Sequence, residues 1–301
     1  GLPGTLRERG QGLNTRSHGT EVLKSTGVRA PFSKEKLYES MRSAGASKNL
    51  AQRIVAEIMR HGRSGIRTEE LRLLTATLLR SESARIAARY ELRNAVLDLG
   101  PTGYWFENLI GALYESMGFR VEIGSILDGR CITHEVDVIA TKRDRRVLVE
   151  CKFRNGTGMR CDSKVALYVQ ARATDLKESP KGISFDQFLL VANTKFTSEA
   201  IRYASCVGLG LLGWDFPKGR GLQNLIEEHK LHPLTSLTTI THAEKRKLLR
   251  HGVITCRELP KATETMDQLG IDEERQRLIE EEVVEIVGDP TEDAPEDDAT
   301  P

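Results

Sequence analysis

The 301-residue sequence predicts an α/β core with a mixed central sheet flanked by helices, set between a mainly helical N-terminal domain and a small helical C-terminal region. Three observations predict it. Between residues 104 and 214 the hydrophobic period switches repeatedly, in the order helix, strands, helix, strand, helix, strand, which is the order of a layered α/β fold. Residues 20–99 show four segments of helical period behind one short strand. Charge is uneven: residues 1–100 hold 18 Lys and Arg against 10 Asp and Glu, whereas residues 271–301 hold 2 against 13. The basic part suits phosphate-bearing partners, and the acidic end is a solvating tail.

Several function classes are excluded at this level. No run of eighteen apolar residues exists, so no helix spans a membrane. No charged-then-apolar leader opens the chain, and residues 1–19 have the composition of a disordered leader. The five cysteines (131, 151, 161, 206 and 256) show no Cys-x-x-Cys spacing, which argues against a zinc knuckle. Their odd number fits a reducing, cytoplasmic setting. No Gly-x-x-x-x-Gly-Lys-Ser/Thr loop occurs, so P-loop hydrolysis of ATP is not supported. The predicted units are a leader (1–19), an N-terminal domain (20–99), a core (100–220), a helical region (221–287) and an acidic disordered tail (288–301).

In the N-terminal domain, the stretch TEVLKSTG reads as a strand. A helix follows from about residue 34, with Leu37, Met41 and Ala44 on its apolar face. Residues 47–61 form a second helix, capped by Ser47, with Leu50, Ile54, Ile58 and Met59 inward. After a turn at 62–65, Thr68 is the expected cap of a third helix whose first turn carries Glu69 and Glu70, as the helix dipole prefers. Residues 81–96 form a fourth, with Ile86, Tyr90 and Val96 inward. VLKSTGVRAPFSKEKL, then GIRTEEL, then ARIAARYELRNA, resembles the ATP-cone module, which binds ATP or dATP as a regulatory ligand. That resemblance implies nucleotide contacts at Val22, Lys24, Lys36, Leu37 and Thr68. Where the family usually has Lys-Arg-Asp-Gly, this chain has Lys24-Ser25-Thr26-Gly27, one phosphate-facing arginine fewer. Lysines and free N–H groups at helix N-termini suit a triphosphate on physical grounds as well.

Gly100–Gly103, with Pro101 inside it, marks a domain boundary. Residues 104–118 read as an amphipathic helix burying Phe106, Leu109, Ile110, Leu113 and Met117. Residues 119–123 alternate as a strand. Residues 132–140 and 147–153 then form a hairpin around the basic turn 142–146. Strand side chains alternate with period two, so Glu135 shares a face with Asp137, and Glu150 with Lys152. Pairing the two strands brings Asp137, Glu150 and Lys152 to one spot, a divalent-metal site with a lysine beside it. Cys151 points the opposite way, into the core, and His134 reads as a packed neighbour. Residues 164–176 follow as a helix with Val165, Tyr168, Val169 and Ala173 inward and Gln170 and Arg172 exposed near one another. A strand (187–192), a turn (193–195), a helix (197–206) and a strand (208–214) complete the core.

Phe106-Glu107, His134-Glu135-Val136-Asp137 and Glu150-Cys151-Lys152 resemble the PD-(D/E)XK nuclease superfamily, in its Mrr-like restriction endonuclease group. FLLVANTKFTSEAIRYASCVGLGLLGWD is similar to that group's late strand–helix–strand. Val136 stands where a proline often precedes the first aspartate. The resemblance implies a DNA endonuclease of restriction or phage defence using Mg²⁺ or Mn²⁺. Asp137 and Glu150 would be the metal ligands and Lys152 the group that orients water or stabilises the transition state. Glu107 is a candidate extra ligand, Glu135 a second, and Gln170 a candidate for positioning phosphate or water. Glu150-x-Lys152 taken alone is an ordinary surface ion pair; Asp137, Glu107 and the surrounding elements make it a site. A nucleotide-responsive DNA-binding regulator with an inactive nuclease fold is the alternative, and RNA is the alternative substrate. Residues 142–146 with Arg154, Arg160 and Arg172 would hold DNA backbone, or be a solvated basic loop.

LTSLTTITHAEKRKLLRHGVITCREL, from Leu234, reads as two short helices around His251-Gly252-Val253. It resembles a helix-hairpin-helix element with Thr239-Ile240-Thr241 in place of Gly-hydrophobic-Gly. That implies backbone N–H groups gripping DNA; a plain helical appendage or a dimer contact is the other reading. ATP-cone modules commonly act by changing oligomeric state, which makes a homo-oligomer an expectation. An acidic helix over 275–287 precedes the tail.

Overall fold

The computed structural model describes residues 21–23, 27, 29–61, 65–156 and 158–288. The expected leader, the expected tail beyond Gly288 and Lys24 lie outside the described residues. The N-terminal unit comprises β1 (Glu21–Leu23), β2 (Arg29–Pro31), α1 (Lys34–Ser43), α2 (Lys48–His61), β3 (Ile66–Arg67), α3 (Thr68–Arg80) and α4 (Ala84–Leu97). Strand β1 is central, antiparallel to β2 and parallel to β3. The helices begin where side chains can satisfy free amides: Ser33 Oγ accepts from the Lys36 amide, and Ser83 Oγ from the Ile86 amide. Ser83 caps α4, so that helix starts three residues later than its apolar period suggested. Thr68 is the first helical residue and not the cap, which is Arg67; its hydroxyl donates instead to the Leu23 carbonyl at 3.2 Å. Leu37, Met41, Ile54, Ile58, Leu71 and Leu79 form the core of this unit.

The central unit contains α5 (Tyr104–Ser116), β4 (Arg120–Asp128), β5 (Thr133–Lys142), β6 (Arg145–Lys152), β7 (Arg160–Cys161), α6 (Ser163–Lys177), β8 (Gln187–Ala192), β9 (Lys195–Phe196), α7 (Ser198–Val207) and β10 (Gly210–Leu212). Five strands form one mixed sheet in the order β10-β8-β6-β5-β4. Strands β4, β5 and β6 make an antiparallel meander, and β6, β8 and β10 run parallel through helical crossovers. On one face Phe106, Leu109, Ile110 and Leu113 of α5 pack with Val138, Val147 and Val149. On the other, Leu148 and Leu190 lie under Ala166 and Val169 of α6 and Ala204 of α7. The hairpin turn is narrower than the basic run suggested, only Arg143 and Asp144, with Arg143 at φ 53°. Tyr168, expected inward, is 60 % exposed, because α6 turns Ala166, Val169, Ala173 and Leu176 to the sheet.

The C-terminal region adds α8 (Leu222–Glu228), α9 (His242–Arg250), α10 (Thr263–Gln268) and α11 (Glu273–Val287), with 3₁₀ turns at Leu234–Ser236 and Cys256–Lys261. Its apolar residues, including Leu248, Ile279 and Val283, join α5 and the sheet in one continuous core that also takes in Ala84, Ala88, Leu92 and Val96 of α4. Two of the backbone N–H groups of the expected Thr239-Ile240-Thr241 hairpin are bonded within the chain. The Thr238 and Thr239 amides both donate to the buried Glu282 carboxylate at 2.9 Å, and the Thr241 amide to Glu244 at 2.8 Å. Arg80 also donates to Glu282, at 2.8 Å, fastening α3 to α11. Among the described residues no helix is long and apolar enough to cross a membrane, and all five cysteines are free thiols.

Candidate functional site

The β5–β6 ladder runs inward from the turn and stops at Val138 opposite Val149. Beyond that pair the Cys151 amide donates to the Asp137 carboxylate at 2.7 Å, so a side chain takes the place of the next ladder contact. Asp137 also marks a break in the pleat. Val136 packs beneath α6 and α7 whereas Val138 packs beneath α5, so strict alternation fails between them. Gly124, the β4 residue facing this point, has φ +64°, a left-handed conformation that glycine adopts without a Cβ penalty. The carboxylate of Asp137 therefore sits where two strands part and a third bends.

Glu150 and Lys152 share the face of β6 under α6, in register with Leu190 and Ala192 of β8, as period two predicts. Cys151 packs on the opposite face, against the α5 core, also as expected. Glu107, in the first turn of α5, approaches from that face; a Cβ on Gly103 would come within 3.2 Å of its Oε1. Burial raises the Glu107 pKa to about 7, with Asp137 and Glu135 adding repulsion. Burial likewise raises Glu150 to about 7, with further repulsion from Asp137 and Glu107 that Arg172 and Lys152 only partly offset. Asp137 is raised too, by burial first; the Cys151 amide and Arg172 pull it back. Desolvation and mutual repulsion together disfavour the ionised forms of these carboxylates, and a cation beside them would relieve both.

Arg172 is the group that the sequence reading underrated. Its guanidinium donates through Nη1 to Glu150 at 2.5 Å and through Nη2 to the Glu135 backbone carbonyl. Gln170, its neighbour on α6, is not brought to this cluster. It lines a cleft with Asp186, Gln187 and Leu209 on the helix's other flank, because residues two apart on a helix point about 200° apart. Lys152 is half-buried and forms no ion pair among the described residues. His134 is buried and bonded to Asp175 at 2.8 Å, a structural tie between β5 and α6. Glu135 is exposed on the α5 side of its strand.

Among the described residues no three His, Cys, Asp or Glu side chains are grouped as a ready-made metal cage. Asp137 and Glu150 nonetheless suit Mg²⁺ or Mn²⁺, hard ions held through one or two carboxylates while water and substrate phosphate complete the shell. In the N-terminal unit, Val22 and Leu37 are buried in the core, whereas Lys36 and Thr68 are exposed at the starts of α1 and α3. The third helix thus begins beside the end of β1, which leads into Lys24.

Three family models match in succession: the ATP cone domain over residues 20–95, a restriction endonuclease domain over 101–212, and the AF1548-like C-terminal domain over 232–287. A protein of Archaeoglobus fulgidus described as uncharacterized is 34 % identical over 180 residues, covering 58 % of this chain and 98 % of that relative. The crystal structure of AF1548, titled a protein of unknown function, is 32 % identical with a TM-score of 0.53, covering 62 % of this chain and 99 % of that one. An ATP cone and a restriction endonuclease domain therefore stand in the order that the sequence motifs implied, and the C-terminal region corresponds to a domain of its own. The chain belongs to the family of that Archaeoglobus fulgidus protein, with an ATP cone domain preceding its restriction endonuclease domain.

Proposed function

We propose that the protein is a Mg²⁺- or Mn²⁺-dependent DNA endonuclease, with cutting regulated by ATP or dATP at the N-terminal domain, and that it serves restriction or phage defence. The observation that supports the reading is Asp137 at the opened end of the β5–β6 hairpin and Arg172 on Glu150, with Glu107 and Lys152 near enough to act on the Glu150 carboxyl. Asp137 and Glu150 would hold the ion, with Glu107 a further carboxylate at the edge of the site. The ion would neutralise phosphate charge and lower the pKa of a water molecule. Lys152, which forms no salt bridge among the described residues, would donate to a phosphate oxygen or to the attacking water. Glu107 at a pKa of about 7 can accept a proton from that water near neutral pH.

The test is linearisation of supercoiled plasmid with Mg²⁺ or Mn²⁺, comparing wild type with Asp137→Ala and Lys152→Ala. Loss of cutting by at least 10³-fold in both is expected; undiminished cutting in both removes the assignment. For the regulatory half, ATP or dATP should change the cutting rate or the oligomeric state, and Lys24→Ala with Lys36→Ala should blunt that response. A second reading, a nucleotide-responsive DNA-binding regulator that does not cut, is favoured by one observation: Arg172 already occupies a Glu150 oxygen. Salt-sensitive DNA binding with no metal-dependent cleavage would establish it.

A further inference from the structure

Arg172 creates a conflict that the proposed reaction has to resolve. Its side chain is 11 % exposed and that of Glu150 9 %, so their ion pair is shielded from water. The same carboxylate is the one that would hold the ion, and a guanidinium and a divalent cation repel each other across one oxygen. The second prong, on the Glu135 carbonyl, shows that the side chain is forked across the mouth of the β5–β6 opening. Its Nε is buried without a hydrogen-bond partner, and its guanidinium lies 5.6 Å from the centre of the largely exposed Tyr168 ring. Arg172 therefore has its Nε donor unspent and an aromatic surface beside it that leads outward.

We infer that Arg172 is a placeholder cation. It holds Glu150 in the metal-free protein, yields that carboxylate to the divalent ion, and then turns its fork to the phosphate of the bound DNA. The inference rests on the reading of Glu150 as a metal ligand. A planar guanidinium suits both stations, since carboxylate and phosphate each present two oxygens at its spacing. In the first it keeps mutually repelling carboxylates together before the ion arrives. In the second it adds positive charge where negative charge develops during hydrolysis. Arg172 is thus a positioning residue in one state and a phosphate-binding residue in the other.

The two roles predict effects of opposite sign, which a merely structural arginine would not produce. Mn²⁺ alone is titrated calorimetrically into the full chain at pH 9, where protons do not compete, for wild type, Arg172→Gln and Glu150→Gln. Arg172→Gln should bind Mn²⁺ about tenfold more tightly, while cutting plasmid about 100-fold more slowly at saturating Mn²⁺. A variant that binds Mn²⁺ no more tightly than wild type, while Glu150→Gln binds it more weakly, overturns the placeholder and leaves the metal-ligand reading standing. Equal Mn²⁺ binding by wild type and Glu150→Gln overturns both. Arg172→Lys, which keeps the charge and loses the fork, covers a failure of the glutamine variant to fold. Mn²⁺ affinity within twofold of wild type with cutting slowed at least tenfold supports the inference, and undiminished cutting overturns it.

Discussion

Replacing Glu282 by alanine tests whether the N-terminal and C-terminal regions are one structural unit. The carboxylate is 8 % exposed and accepts from Arg80 at 2.8 Å, from the Thr238 and Thr239 amides at 2.9 Å, and from both threonine hydroxyls at 2.7 Å. Alanine strands all of these donors. Removing one partner of a buried charged pair costs about 3–5 kcal/mol, and the lower end applies because Arg80 can reach water. The expectation is therefore ~3 kcal/mol by urea titration followed by circular dichroism, or a fall in Tm of about 5 °C for a chain of this size. Glu282→Gln keeps one acceptor and should lose about half as much. Burial pushes this carboxyl up, but the threonine bonds outweigh it and hold it below 4.5. Its contribution is therefore complete above pH 4.5 and disappears as pH falls through the depressed value, so the variant and wild type should converge in acid. A loss under 1 kcal/mol at pH 7 would refute the idea that this contact joins the regions.

Other consequences are equally direct. Glu150 has its pKa raised to about 7, so its ionised form is disfavoured in the metal-free fold; stability is complete below 4.5 and declines as pH rises through 7. Glu150→Gln should remove this pH dependence between pH 4 and 8 while leaving the buried Arg172 guanidinium without its carboxylate, as thermal melts without metal will register. Protons and metal compete for the same oxygens, so Mn²⁺ affinity should fall about fivefold for each carboxylate titrating near 7 between pH 7 and 6 in calorimetric titrations. Gly124→Ala forces a Cβ into the left-handed region and should cost ~1 kcal/mol in the same melts while slowing cleavage, because Asp137 faces that bend. Gly103→Ala presses on the Glu107 carboxylate and should shift the pH profile of cutting with little change in Tm.

Much of this architecture was legible because period and capping are local properties. The segments burying Leu37 and Met41, and Phe106 to Leu113, repeat at helical spacing, and Leu189 to Ala192 is an unbroken apolar run of strand length. Glu150 and Lys152 share a face because strict alternation holds along β6. The rest depended on partners distant in sequence. Alternation fails at Asp137, where Gly124 bends the adjacent strand, and nothing near Asp137 signals that. Gln170 and Arg172 are equally polar and two residues apart; which one meets Glu150 depends on how α6 rolls onto the sheet. The acceptor that claims the Thr238 and Thr239 amides lies more than forty residues further along the chain. Strand β3, at two residues, is too short to show any period at all.

Helix α4 has a consequence for how the chain can be taken apart. Its Ala87 packs among the N-terminal side chains, while Ala84, Ala88, Leu92 and Val96 pack with α5 and the C-terminal helices. A cut at Gly100–Gly103 would not release two finished pieces. It would leave an oily stripe on one fragment and a matching trough on the other, and the two should stay associated after proteolysis. A wall shared in this way leaves no slack to absorb motion. Whatever moves α4 also moves the packing around Phe106, one residue before Glu107.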